Sequence, residues 1–112
     1  MKIKELFIDA YSCEGNLNNT KIILKSVLKA AKLVNAKVVK TLVYNYKPYG
    51  VSVVVLLAET HISIYTWPEY RYASVEIFLC NEKMDANLAW KEIEKALLPK
   101  KISKKKILRN IQ

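Results

Sequence analysis

Residues 58–70 read AETHISIYTWPEY, a stretch that sets a carboxylate (Glu59), a β-hydroxyl (Thr60) and an imidazole (His61) in direct succession. These are the groups of nucleophilic and acid–base chemistry, in which a weak nucleophile is activated by a base held beside it. His61 is the one histidine of the chain. On spacing alone, polar residues between two apolar runs make a turn, and that is the preferred reading of the triplet until a wider pattern supports chemistry. Other reactive side chains are sparse. Cys13 and Cys80 lie far apart and lack C-x-x-C or H-x-x-x-H spacing, so no metal set is expected. Nothing else suggests an exported protein, and both cysteines are read as free thiols.

The elements that must position these residues fit one domain, 1–112, since a chain of 112 residues supports a core of two packed layers and not two independent cores. No apolar run approaches the ~20 residues needed to cross a bilayer, and MKIKELFIDAY alternates where a secretory signal would be continuously apolar; a cytoplasmic location is expected. The net charge of +9 is uneven. Lys100, Lys101, Lys104, Lys105, Lys106 and Arg109 follow Pro99 with no acid among them. A basic terminal run without an RNP, KH or zinc-finger pattern reads as a solvated edge, so nucleic acid is not expected as a partner.

Alternation predicts strands over 3–11, 36–46, 49–59, 61–67 and 72–80, with a turn at 47–50 and an edge strand in the tail. Lysines at 21, 25, 29 and 32 opposite Ile23, Val27, Ala30 and Val34 predict a one-sided helix from about 19 to 34. A second helix is expected from an Asp85 cap to about Leu98, where Pro99 stops it, with Trp90 on its apolar side. The expected class is α+β: a two-layer sandwich of a mainly antiparallel sheet with two helices on one face. Val51 through Leu57 is apolar on nearly every residue, which implies cover on both faces. Two helices cover one face, so a second copy is the economical cover for the other, giving a homodimer of four layers, α/β/β/α.

The wider string resembles a known family. ETHISIYTWPEY is similar to the E-S-H-[IL]-[SA]-I-H-T-W-P-E-[YF] segment of the small prokaryotic S-adenosylmethionine decarboxylases. In order along the chain, AYSCE resembles that family's Y-G-C-D, YKPYGVSVVV its aromatic-x-P-x-G-V-S strand, and ASVEIFLC its A-x-V-[DE]-x-F-x-C. The likeness spans about residues 3–98.

The resemblance implies a proenzyme that cleaves its own backbone between Glu59 and Thr60, into a β chain of 1–59 and an α chain of 60–112. The residue-60 hydroxyl would attack the preceding carbonyl to make an ester. Elimination and hydrolysis would then leave a covalent ketoacyl group on residue 60: pyruvoyl in the family, 2-oxobutanoyl from Thr60. This group would be the electron sink for decarboxylating S-adenosylmethionine, the step that supplies the aminopropyl donor for spermidine, with no free cofactor or metal. Ser52 matches the serine that assists processing and Cys80 the cysteine that donates the proton after decarboxylation. Glu69 matches the carboxylate that grips the ribose hydroxyls, Tyr46 an aromatic that stacks on adenine, and Ala58 and Trp67 further substrate-binding positions. Glu76 matches an acidic strand residue without an assigned role. The substrate site is expected at or near the subunit interface.

Three positions depart from the family pattern. Thr60 stands for the processing serine, and it keeps the required hydroxyl. Tyr65 stands for the processing histidine, and a phenol with a reference pKa of about 10 is a poor base near neutrality. His61 shares a strand face with residue 65 but has its own family counterpart, so whether it takes over stays open at this level. Arg71 replaces a glycine, adding bulk at a turn or at the pocket mouth. These departures also motivate a second reading, an uncleaved paralogue that binds ligand or an active partner subunit. A same-fold decarboxylase of arginine or another amino acid is a further alternative.

Overall fold

The computed structural model describes residues 2–111. The chain runs β1 (Lys2–Tyr11), α1 (Thr20–Leu33), β2 (Val38–Asn45), β3 (Val51–Leu57), β4 (His61–Trp67), a 3₁₀ turn (Pro68–Tyr70), β5 (Tyr72–Leu79), α2 (Ala86–Leu97) and β6 (Lys101–Asn110). The strands form one antiparallel sheet in the order β2-β3-β4-β5-β1-β6. Among the described residues no helix is long and apolar enough to cross a membrane.

Both helices start on polar caps that satisfy otherwise unpaired first-turn N–H groups. The Asn19 side chain accepts from the Ile22 N–H, and the Asp85 side chain accepts from those of Asn87 and Leu88. At its far end α2 stops at Leu98, which takes a left-handed φ of 48° before Pro99. The two helices lie on one face of the sheet, where Ile23, Val27, Ala30, Trp90 and Ile93 pack on Val53, Val55, Ile62, Ile64, Val75 and Ile77. This is the expected α+β sandwich, and the basic tail is the expected edge strand, paired along β1 from Lys2↔Asn110 to Tyr11↔Lys101.

Strand alternation sends the other set of side chains to a face that no helix covers. Leu42, Tyr44, Leu56, Tyr65 and Trp67 are exposed there, so β3 is indeed apolar on both faces while only one is packed within the protomer. One local reading changes. The third strand ends at Leu57, not Glu59, because the Leu57 N–H donates to the Thr60 carbonyl (2.8 Å) and the Thr60 N–H returns the bond to Leu57 (3.3 Å). Ala58 and Glu59 are therefore the two residues of a tight hairpin loop, and the Ala58 N–H is tied to the Lys37 carbonyl at 2.9 Å. A second feature that alternation does not foresee is Glu5. It lies on the uncovered face yet is only 3% exposed, and its Oε1 sits 2.5 Å from Arg109 Nε on the tail strand.

Candidate active site

The residues singled out in the sequence fall into two corners at opposite ends of β4. One corner is the β3–β4 hairpin. Glu59 takes a φ of 80°, a left-handed conformation that side-chain-bearing residues seldom adopt, so the linkage to Thr60 leaves a strained residue. Thr60 itself is buried, 5% exposed. Cys80 follows the end of β5 and points its Sγ at the Ala58 carbonyl, 3.8 Å away. Burial, and then the hydrogen bond and negative charge of Glu59, push the Cys80 thiol above its ordinary pKa. Ala58, Glu59, Thr60 and Cys80 are thus brought together. A hollow of about 520 Å³ opens beside them, lined by Lys2, Glu59, Cys80, Asn81, Glu82 and Lys83.

His61 begins β4 next to this corner and faces away from the helices. Its Nε2 lies 3.2 Å from Glu76 Oε1, each side chain about one third exposed. The ring stands edge-on to Phe78 at 5.6 Å between centroids. The Glu76 contact is diagonal across β4 and β5, because His61 is paired with Phe78 and Glu76 with Ser63.

The second corner gathers Tyr46, Ser52, Tyr65, Trp67 and Glu69 around a hollow of about 230 Å³, together with Tyr49, Gly50, Val51 and Thr66. Ser52 and Tyr65 are direct cross-strand partners. The Ser52 hydroxyl donates to the Tyr46 phenol oxygen at 2.9 Å, and the Tyr46 ring meets Tyr44 edge-on at 4.7 Å. An aromatic-lined hollow with one carboxylate, Glu69, suits a ligand with a flat ring and hydroxyls. The aromatic row continues from Trp67 to Tyr72 and Tyr11, with 5.5 Å between successive centroids. Tyr72 donates a short hydrogen bond to Asp9, and burial followed by that bond pushes its phenol up to about 12.

Sequence reasoning missed the supports of this corner. Thr66 Oγ1 accepts from the Val51 N–H at 2.9 Å and donates to the Leu17 carbonyl at 2.7 Å. Asn18 Oδ1 accepts from the Gly50 N–H at 2.8 Å. Gly50 is at φ 116°, and a Cβ there would meet the Thr66 carbonyl oxygen at 3.4 Å, so both backbone and space favour glycine. The G-V-S string was the one available signal. Arg71, expected to crowd a turn or the pocket mouth, sits at the turn with φ 50° and lines a separate hollow beside Cys13 and Asn16, away from Tyr46 and Glu69.

Within one protomer the two corners do not meet. Thr60 and Tyr65 are five strand positions apart, roughly 16 Å at the rise of an extended chain. Ser52 and Tyr65 therefore stand far from the linkage they were expected to help break. Both thiols are free. Among the described residues no group of three or more His, Cys, Asp or Glu side chains is placed to hold a metal ion.

Comparisons with known proteins show the family and the overall fold. The family model described as S-adenosylmethionine decarboxylase matches residues 4–110. The chain is 36% identical over 100 residues to the S-adenosylmethionine decarboxylase proenzyme of Thermotoga maritima, covering 88% of this chain and 77% of that one. It is 35% identical over 95 residues to the proenzyme of the same name from Pseudomonas aeruginosa, covering 84% and 59%. The crystal structure of the adenosylmethionine decarboxylase from Aquifex aeolicus superposes with a TM-score of 0.90 at 32% identity, covering 98% of this chain and 92% of that one. The chain belongs to the S-adenosylmethionine decarboxylase family, whose members are pyruvoyl-dependent decarboxylases.

Proposed function

We propose that this chain is an S-adenosylmethionine decarboxylase proenzyme that cleaves itself between Glu59 and Thr60. The observation that carries the reading is the hairpin corner. A strained Glu59, a buried threonine on the next residue and, across from them at the end of β5, a thiol kept protonated lie at one hairpin. A hydroxyl shielded from bulk water meets its carbonyl without competition from solvent, and release of the φ strain at Glu59 favours the rearrangement.

The residues present fit the family's group. A ketone on residue 60 would supply the electron sink for loss of carbon dioxide. The work of this chain's side chains is then binding and proton placement. Tyr46 stacks on the flat base of the substrate and Glu69 accepts from its ribose hydroxyls, while Cys80, kept protonated by burial and Glu59, delivers a proton to the carbon left by carbon dioxide. Because the two corners are far apart in one protomer, the site is assembled in a homodimer. Two copies related by a two-fold axis and packed on their uncovered sheet faces bring the hairpin of one onto the aromatic corner of the other. The exposed Leu42, Tyr44, Leu56, Tyr65 and Trp67 support that packing.

Intact mass after prolonged incubation tests the reading. Fragments 1–59 and 60–112, the second lacking a free amine, are expected. A single species of 12.9 kDa at all times would refute it.

A further inference from the structure

His61 directly follows the linkage proposed to break, and the fold gives it a partner that strand periodicity did not specify. Glu76 Oε1 lies 3.2 Å from Nε2, an ion-pair contact that turns this edge of the ring toward β5 and leaves Nδ1 without a protein partner among the described residues. The edge of Phe78 limits how the ring can turn. Tyr65, at the position of the family's processing histidine, is four strand residues further on, about 13 Å away within the protomer. By contrast, His61 is the next residue along the chain, its Cα about 3.80 Å from that of residue 60 across a trans peptide, so its imidazole is tethered beside the Cα–H of residue 60.

We infer that His61, oriented by Glu76, is the base that removes the α-proton of Thr60 in the elimination step. This rests on the self-cleavage reading above. In the ester formed by the first step, the Glu59 acyl group is carried on the Thr60 oxygen and the Thr60 nitrogen is a free amine. His61 Nδ1 takes the proton from Cα, and that electron pair forms a Cα=Cβ double bond. The Cβ–O bond breaks, and Glu59 leaves as a carboxylate. The imidazolium, held by the Glu76 carboxylate, returns its proton to Cβ as the enamine becomes an imine. Water then hydrolyses the imine to the 2-oxobutanoyl ketone and ammonia. His61 is a catalytic residue in this scheme and Glu76 a positioning residue.

The test uses the full chain and hydroxylamine, which cleaves esters and spares amides. His61→Ala should still form the ester but eliminate roughly 10²-fold more slowly or worse, the usual loss of a positioned base. Hydroxylamine should then cut it into 1–59 and a 60–112 fragment with a free Thr60 amine. Added imidazole should restore part of the ketone-bearing fragment, which a structural role would not produce. His61→Gln, whose amide can still donate to Glu76, serves as a second variant should the alanine chain not fold. Glu76→Gln should slow elimination about tenfold while Glu76→Asp retains most of it, the scale of losing an orienting partner. Elimination at the wild-type rate in either His61 variant overturns the inference. Absence of both fragments and hydroxylamine-sensitive ester from the wild-type chain overturns instead the self-cleavage reading on which it rests.

Discussion

The separation of the two corners makes a quantitative prediction about mixed dimers. Cys80 sits at the hairpin end of the sheet, and Glu69 follows the far end of β4. The seven residues of β4 lie between them, on the order of 20 Å of extended chain, longer than the reach from a substrate's ribose to its α-carbon in one protomer. In the proposed assembly each site therefore takes Cys80 from one subunit and Glu69 from the other. A chain carrying Cys80→Ala loses the proton donor in both sites, and one carrying Glu69→Gln loses the ribose acceptor in both. Mixed in equal amounts and re-associated at random, half of the dimers are mixed. Each of these holds one site with both defects and one with neither, so about one quarter of the wild-type site concentration returns. The assay is release of labelled carbon dioxide from carboxyl-labelled S-adenosylmethionine, with the dimer fraction fixed by gel filtration at constant total protein. Recovery near one quarter supports a shared site. A mixture no more active than the average of its two parents would refute the reasoning, because sites contained within single protomers gain nothing from mixing.

Four further outcomes are expected. Thr60→Ser with Tyr65→His should accelerate self-cleavage by roughly 10²-fold, as an imidazole joins the site, read by intact mass; a folded double variant that stays whole would show that these positions are misread. Glu59→Gln should shift the alkylation profile of Cys80 with iodoacetamide to lower pH, because the hydrogen bond and charge that help raise the thiol are removed; an unmoved profile leaves burial as the sole cause. Tyr72, raised to about 12, contributes stability that is present below the ~10 of an unfolded tyrosine and is lost as pH rises through 12, so Tyr72→Phe should delete the last-titrating tyrosine in absorbance at alkaline pH. Arg109→Met strips the buried Glu5 carboxylate of its largely exposed cation and should cost about 1–3 kcal/mol in urea unfolding followed by fluorescence of the buried Trp90, whereas Glu5→Leu with Arg109→Leu should recover most of it.

What the sequence made legible was set by local periodicity. β4 occupies residues 61–67 as expected because its alternation is bounded by a polar loop on one side and Pro68 on the other. The Asn19 and Asp85 caps and the αL stop at Leu98 before Pro99 are equally local, and both helices begin within a residue of the expected start. The burial of Glu5 is not written in the alternation of β1, since what buries it is the tail strand laid alongside β1 about a hundred residues later. Thr66 reaching Leu17, and Asn18 reaching Gly50, are likewise pairings of distant segments that no periodicity encodes. The His61–Glu76 contact depends on the β4–β5 register, which places Glu76 opposite Ser63 and so diagonal to His61.

The same reasoning explains why the motif looked like one site and folds as two corners. From Glu59 to Glu69 the string is continuous in sequence, and the middle of it is a β-strand, the most extended form the chain can take. Contiguity in an extended segment enforces distance: residues at the two ends of ETHISIYTWPE cannot touch the same small molecule from the same strand. In a helix the same spacing would have stacked them within about 15 Å. The strand also settles which residues can cooperate locally, since those two apart share a face: His61, Tyr65 and Trp67 all look toward the uncovered side, where Ser52 and Glu76 meet them across neighbouring strands. In the proposed dimer, a two-fold axis lying in the interface and running across the strands sets each strand end over the opposite end of its copy. Chemistry split between the ends of one strand thereby becomes a demand for a second subunit, and the apolar residues left exposed on that face are the surface that would bind it.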